Sequence, residues 1–414
     1  MDWYTRNSTK IVIVEIIASF LFGAAIAIHG GSLLRYPDER EWVQLATNLV
    51  NQHIFTFDGI NTTALRPPGF PFVLLLPVAS GIGNVGLRFV NLGIFVFTEI
   101  MLVLLAQKLF SRSAAAISVF LVLLYPVLAY SATLLLPQTL GAALLLLGTW
   151  LLIRHERPRA LDTALGGVVW GFLLLTIPTF AFVMGWFVLW LLWRRPGFRR
   201  TVIFFVATLF LVVGAWTARN YNVFHAVFFV ATNGGSNLLK GNSENSTVDS
   251  DTLTDVKKYV DATHGMSETQ SDKFYKTAAL TWMKEHPGVA SRLYAAKVMQ
   301  YFWFTERTAT ENYATRFEQP IWRTLIMLFT YEPLLLLLLA RFAIARKYPL
   351  SELEILFAGL YFINAPFAAI FYSRIRYRLP MDWILLLLDA GMVQIVLSRL
   401  FSRKEASGAL THGH

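Results

Sequence analysis

The chain is dominated by apolar runs of about 17 to 25 residues, the length that carries a helix across roughly 30 Å of hydrocarbon. They lack the two-residue alternation of a transmembrane barrel, so the crossing element is a helix. The runs lie at about 11–30, 86–107, 114–136, 138–153, 161–177, 179–193, 201–218, 321–340, 352–371 and 379–398. Hydrophobic residues make up 55% of the 414 and charged residues only 15%, a balance foreign to a soluble domain of this size. The pattern predicts an all-α polytopic membrane protein of about ten transmembrane helices.

The net charge of +10 is carried in short clusters between the runs. These are Arg6 and Lys10; Lys108 and Arg112; Arg154, Arg157 and Arg159; Arg194, Arg195, Arg199 and Arg200; Arg341, Arg346 and Lys347; and Arg399, Arg403 and Lys404. With the amino terminus inside, every cluster falls on the cytoplasmic face, as expected of short loops rich in Lys and Arg. Both termini are then cytoplasmic, and the placement argues against nucleic-acid binding. The first run lacks the short apolar core and small-residue cleavage site of a signal peptide and reads as a retained anchor. With no cysteine, no disulfide framework is possible.

This topology divides the chain into an N-terminal bundle over 1–218, an outer segment over 219–320, C-terminal helices over 321–400 and a cytoplasmic tail over 401–414. Within the bundle, residues 31–85 form an outer loop. There, Glu41 to Val50 puts Trp42, Leu45, Ala46, Leu49 and Val50 on one face, as in a helix lying along a membrane surface. Phe70 to Ser80 is apolar but short and interrupted by proline, which predicts a second interfacial or re-entrant helix flooring a cavity. The later outer segment opens on Asn233-Gly234-Gly235 and Gly241-Asn242 and is polar from Ser243 to about Thr254. Helical patterns resume from about Ser271 to Trp303, with a break near His286-Pro287-Gly288, predicting a small helical subdomain or a loop that orders over a ligand. There is no phosphate loop, dinucleotide fingerprint or solenoid repeat, so driving energy must come from the substrates.

Between Leu34 and Pro71 an acidic pair, Asp38 and Glu39, precedes Arg66-Pro67-Pro68-Gly69-Phe70-Pro71. Such charges are expensive at a bilayer boundary unless they do chemistry or bind something. Adjacent carboxylates cannot share one small pocket without raising one pKa, so a division of labour is expected. Asp38 would accept a proton from a nucleophile, while Glu39 caps the following helix or pairs with a base. Pro37-Asp38 equally reads as an ordinary helix start, its acids complementing the helix dipole.

The remaining outer charges are arginines: Arg35, Arg40, Arg66, Arg88 and Arg219, then Arg374, Arg376 and Arg378 in Tyr372-Ser373-Arg374-Ile375-Arg376-Tyr377-Arg378-Leu379-Pro380. A forked guanidinium suits phosphate oxygens and keeps its charge when partly buried. The plainer reading is contact with lipid headgroups. Trp42, Tyr221, Asn237, Lys240 and Tyr377 are candidates for a substrate cavity. The eight histidines show no H-E-x-x-H spacing, His412 and His414 lie in the tail, and no G-x-S-x-G elbow appears.

Three stretches carry a family resemblance. Pro37-Asp38-Glu39-Arg40-Glu41-Trp42, with Leu45-Ala46, Leu49 and the Arg66-Pro67-Pro68-Gly69-Phe70-Pro71 corner, resembles the first outer loop of the GT-C membrane glycosyltransferases. Those nearest in kind are the protein O-mannosyltransferases and the lipid A aminoarabinose transferases. Trp216-x-x-Arg219-Asn220-Tyr221, leading to Asn233-Gly234-Gly235-x-Asn237-Leu238 and Gly241-Asn242, is similar to a second stretch in bacterial members. Arg376-Tyr377-Arg378-Leu379-Pro380 looks like their penultimate outer turn. The chain departs from many relatives at Trp42, where they have tyrosine, near Gln138, where they have glutamate, and near Ile177, where they have arginine.

The resemblance implies a bacterial inner-membrane enzyme with an outward-facing cavity. Its donor would be a polyprenyl-phosphate-linked monosaccharide, hexosyl or pentosyl, and its acceptor a glycan, lipid or protein. Asp38 would be the catalytic base, with Glu39 beside it, and Arg66, Arg219, Arg374, Arg376 and Arg378 would bind the donor phosphate. Some members of the class use a divalent cation, which Asp38 and Glu39 could ligate. The rival readings are a transporter or flippase of lipid-linked sugars and a polysaccharide ligase. A transporter predicts ionisable residues midway along several spans, whereas the sequence gathers them at the outer face.

Overall fold

A computed structural model describes residues 2–194, 196–248, 250, 254–304 and 320–411. Arg195 of the fourth basic cluster, parts of the polar stretch at 249 and 251–253, the 305–319 portion of the outer segment, and His412 and His414 lie outside the described residues. The described residues are helical, with a single isolated bridge between Thr56 and Thr62. In order they form α1 (Asp2–Gly30), α2 (Pro37–Gln52), α3 (Gly69–Ala79), α4 (Gly83–Leu109), α5 (Arg112–Leu124), α6 (Pro126–Ala132), α7 (Gln138–Ile153), α8 (Ala160–Thr176) and α9 (Phe180–Arg194). The chain continues through α10 (Arg199–Phe224), α11 (Gly234–Gly241), α12 (Lys257–Ala262), α13 (Glu268–Glu285), α14 (Pro287–Tyr301), α15 (Pro320–Ala343), α16 (Glu352–Ala368) and α17 (Ile375–Thr411).

Long apolar helices make this an integral membrane protein. By length and composition five described helices can cross a bilayer singly: Arg6–Gly30, Gly83–Leu109, Arg199–Phe224, Ile321–Ala343 and Ile375–Leu400. The expected run at 114–136 is broken instead. Pro126 cannot continue α5, and α6 leaves at 73°. The expected runs at 138–153, 161–177 and 179–193 are shorter helices, α7 to α9. Nearly all of α7 is buried inside the bundle, so protein and not lipid satisfies its length. Where α8 crosses α10, Gly167 and Gly171 let the backbones approach: a Cβ on Gly167 would strike Thr208, and one on Gly171 would lie 2.8 Å from Val212 Cβ.

The two expected outer segments pack together. Glu268, opening α13, accepts from the Ala64 N–H at 2.9 Å and the Thr63 hydroxyl at 2.8 Å, tying the later segment to the first loop. A second clasp is Lys297 on α14, fully buried, whose Nζ donates to the carbonyls of Gly241 at 3.0 Å and Phe371 at 2.8 Å. A Cβ on Gly241 would run into the Phe371 carbonyl, so only glycine lets α11 lie against the turn before α17.

Candidate active site

The site begins where α2 begins. Pro37 occupies the first turn, its fixed φ suiting that position. Glu39 then turns back and accepts from the N–H groups of Arg35 at 2.8 Å and Tyr36 at 3.1 Å, satisfying donors that the helix start leaves open. Its other oxygen accepts from the Leu135 N–H at 2.9 Å and faces Arg88 Nη1 at 3.4 Å, and Glu39 is fully buried. Asp38, one residue earlier, points elsewhere. Its Oδ1 accepts from Arg66 Nη2 at 2.6 Å, and its Oδ2 pairs with Arg376 Nη1. Arg66 also holds Glu41 at 2.5 Å and lies over the Trp42 ring at 5.5 Å. Burial pushes the Asp38 carboxyl up, but the Arg376 and Arg66 guanidiniums outweigh it and hold the group well below the usual carboxylate range.

Asp38, Arg66 and Arg376 open onto a cavity of about 240 Å³. Six helices start at its wall: α2 at Asp38, α3 after Pro67, α7 at Gln138, α9 at Phe180, α11 at Gly234 and α17 beside Arg376. The positive end of the helix dipole at each start favours an anion in the hollow, although the first N–H groups of α9 are taken by the carbonyls of Ile177, Pro178 and Thr179 and the Gly235 N–H of α11 by Asp272. Proline sets several of these starts, at Pro37, Pro67-Pro68, Pro137 and Pro178.

The arginine group divides. Arg66 and Arg376 line the cavity, whereas Arg219, Arg374 and Arg378 do not. Arg378 is buried with Asp382 at 3.2 Å, donates to the Tyr301 carbonyl at 2.8 Å and stacks over Tyr331. Arg219 lies over Trp216 at 4.7 Å and donates to the Thr63 carbonyl at 3.2 Å, joining α10 to the first loop. Arg374 is buried and does not line the cavity. Arg88 is also internal, donating to the Gly31 carbonyl at 3.1 Å and that of Leu33 at 2.5 Å. Among the expected cavity residues, Trp42, Asn237 and Tyr377 line it; Tyr221 is half-exposed on α10 and Lys240 ends α11 outside it. Asp38 and Glu39 do not form a shared ligand set, since each carboxylate is already engaged by its own guanidinium or N–H partners. Among the described residues no group of three or more His, Asp or Glu side chains is arranged to hold a metal.

Two features escaped the sequence reading. The first is Gln138, noted only as a departure: it lines the cavity, is 7% exposed, and its Oε1 has no hydrogen-bond partner. The second is a set of acids inside the spans. Glu15 and Glu99 are buried on α1 and α4, with Ser19 Oγ donating to Glu99 at 2.6 Å, and Asp389 is buried on α17. Ionisable residues are therefore not confined to one face. Isolated acids within apolar runs give no sequence signal of which neighbour they meet.

No family model and no curated protein matches the chain by sequence. Solved structures do. The Archaeoglobus fulgidus oligosaccharyltransferase, tethered to an acceptor peptide containing the NVT sequon, superposes with a TM-score of 0.56 at 13% identity, covering 99% of this chain. This chain spans about half, 52%, of that one. ArnT from Cupriavidus metallidurans bound to undecaprenyl phosphate matches at 13% identity with a TM-score of 0.45, over 93% of this chain and 78% of that one. Its apo form matches over the same shares with a TM-score of 0.41. The polytopic helical architecture is thus a fold shared with the archaeal oligosaccharyltransferase.

Proposed function

We propose that the protein transfers a sugar from a polyprenyl-phosphate-linked monosaccharide to an acceptor hydroxyl at the outer surface of a bacterial inner membrane. The observation that carries this reading is Asp38 held between Arg66 and Arg376 at a cavity ringed by helix starts. A base, two phosphate-binding forks and an electropositive hollow are what the reaction requires.

In the resting protein Asp38 is a weak base, because both of its oxygens serve guanidiniums. Entry of the lipid phosphate draws Arg66 and Arg376 toward its oxygens and leaves the carboxylate to the acceptor. Asp38 then takes the proton of the acceptor hydroxyl as that oxygen bonds to the anomeric carbon from the face opposite the phosphate. The carbon–oxygen bond to phosphate breaks with its electron pair, the lipid phosphate leaves on the two guanidiniums, and the configuration inverts. A base of this kind contributes about 10² to 10⁴ in rate. The prenyl chain stays in the bilayer because each exposed CH₂ costs about 0.8 kcal/mol.

The test is mass spectrometry of lipid-linked sugars and surface glycans from cells with the gene, without it, and with Asp38→Asn. Loss of one glycan, accumulation of its glycosyl-phosphate lipid and the same profile in the variant support the assignment. A variant with normal glycans removes Asp38 from its role, and release of a lipid diphosphate points to a ligase instead.

A further inference from the structure

We infer that Asn364 is a positioning residue for the phosphate site: its side-chain amide holds the Tyr377 carbonyl and so sets where the neighbouring Arg376 guanidinium stands. The inference deepens the lipid-phosphate reading above and rests on it. Arg376 lies in the first turn of α17, and its own helix braces that turn weakly. Pro380, four residues on, has no N–H, so the Arg376 carbonyl lacks the bond that a continuous helix would give it. In the proposed mechanism Arg376 also gives up Asp38 when the phosphate enters, so the ion pair cannot be what keeps the turn in place. The brace has to come from other helices.

Two such braces reach it. Arg378, facing inward, donates to the Tyr301 carbonyl at 2.8 Å and pins the turn through a side chain. Asn364 on α16 takes hold of the main chain itself. Its Nδ2 donates to the Tyr377 carbonyl at 3.0 Å and to the Tyr301 hydroxyl at 2.8 Å, which uses both amide hydrogens. The amide orientation is dictated, because a carbonyl only accepts and Oδ1 in that place would face it lone pair to lone pair. Asn364 is 3% exposed and lines the cavity beside Arg376 and Tyr377, so the bond is sheltered from water and its loss leaves a carbonyl without that donor. Tyr377 carries the effect to the guanidinium: its hydroxyl accepts from Arg376 Nη2 at 3.4 Å, and its ring lies 5.3 Å from the guanidinium carbon. Asn364 is itself steadied by Tyr301, which closes α14, the helix whose Lys297 one turn earlier is clamped by the Gly241 and Phe371 carbonyls. With both hydrogens spent, Asn364 has no donor left for a phosphate, and its influence runs through Arg376.

The experiment measures binding of radiolabelled undecaprenyl phosphate to the full chain in lipid nanodiscs, as a double-mutant cycle between Asn364→Leu and Arg376→Ala, with melting temperatures recorded alongside. Arg66 remains in every variant and keeps binding measurable. Asn364→Leu preserves the size of the side chain and removes both donors; it should weaken binding of the label about 3- to 10-fold. On the Arg376→Ala background the same change should cost less than about 2-fold, because the group through which Asn364 acts is gone. Tyr301→Phe is the control for a purely structural role: it spares the Tyr377 bond, so the melting temperature falls while binding stays within about 2-fold of the parent. An Asn364→Leu protein that binds like the parent, a loss as large without Arg376 as with it, or an equal loss in Tyr301→Phe overturns the inference. Where Asn364→Leu does not accumulate, Asn364→Ala, which adds no bulk, is read by the same criteria; failure of both to fold makes Asn364 a folding residue and overturns the inference too. Failure of the label to bind the parent protein at all overturns the lipid-phosphate reading itself.

Discussion

Arg376 and Asp38, 338 positions apart in sequence, form an ion pair in the wall of the cavity, with Arg66 on the other carboxylate oxygen at 2.6 Å. This junction joins the start of α2 to the start of α17, so cavity geometry and the docking of the C-terminal helix are one structural fact. Predictions follow from which partner each charged group has.

The doubly paired Asp38 has a signature in pH. Burial raises its carboxyl, but Arg376 and Arg66 hold it well below the ordinary 3.8. A depressed folded-state value means its stabilisation is complete above the unfolded value and is lost as pH falls through the folded one. The melting-temperature advantage of the parent protein over Asp38→Asn should therefore stay flat from about pH 7 to pH 5 and shrink only below about pH 3.8. An advantage already gone at pH 5 refutes the pairing.

Arg376→Ala and Arg378→Ala should fail differently. Arg376 faces the cavity, so its loss removes charge-assisted bonds worth about 1.5–3 kcal/mol, roughly 10- to 150-fold in donor KM, with acceptor KM unchanged. Arg378 sits against Asp382 and the Tyr301 carbonyl, so its loss strands a buried acid and lowers folding yield and thermal stability. Steady-state kinetics beside melting curves separates the two; matching donor defects in equally stable variants contradict it.

Glu39→Ala is expected to damage the fold more than the chemistry. Glu39 and Arg88 are both buried, and breaking such a pair costs about 3–5 kcal/mol because one charge is left without its counter-ion. Yield from the membrane should collapse, and whatever folded protein remains should keep its affinity for undecaprenyl phosphate. A well-expressed variant that has lost lipid binding would assign Glu39 to the site.

Lys297 provides the opposite titration. Burial pushes its ammonium down to about 8 from 10.5, so between these values the unfolded chain binds more protons and stability rises with pH. Lys297→Met should abolish that rise and also lower the melting temperature, since the Gly241 and Phe371 carbonyls lose their donor. A parent protein whose stability is level from pH 8 to 10.5 would contradict the buried charge.

Hydropathy alone determined that this chain is a helical membrane protein, because twenty apolar residues in a row have few other fates in water or lipid. The amphipathic face of α2, the short α3 and the break before Pro287 were likewise legible, since each depends on neighbours a few residues away. The candidate site was legible in kind, as acids and arginines too costly to hold without a purpose, but not in its membership. Arg376 and Arg378 are two positions apart, yet Arg378 meets Asp382 one turn along its own helix, while Arg376 reaches Asp38, 338 positions away. Only the first pairing is written in the local sequence. Which guanidinium meets which carboxylate, which glutamine is left unpaired at a cavity and which short helices need not span lipid are settled only when distant segments pack, because burial and partner choice belong to the assembled bundle.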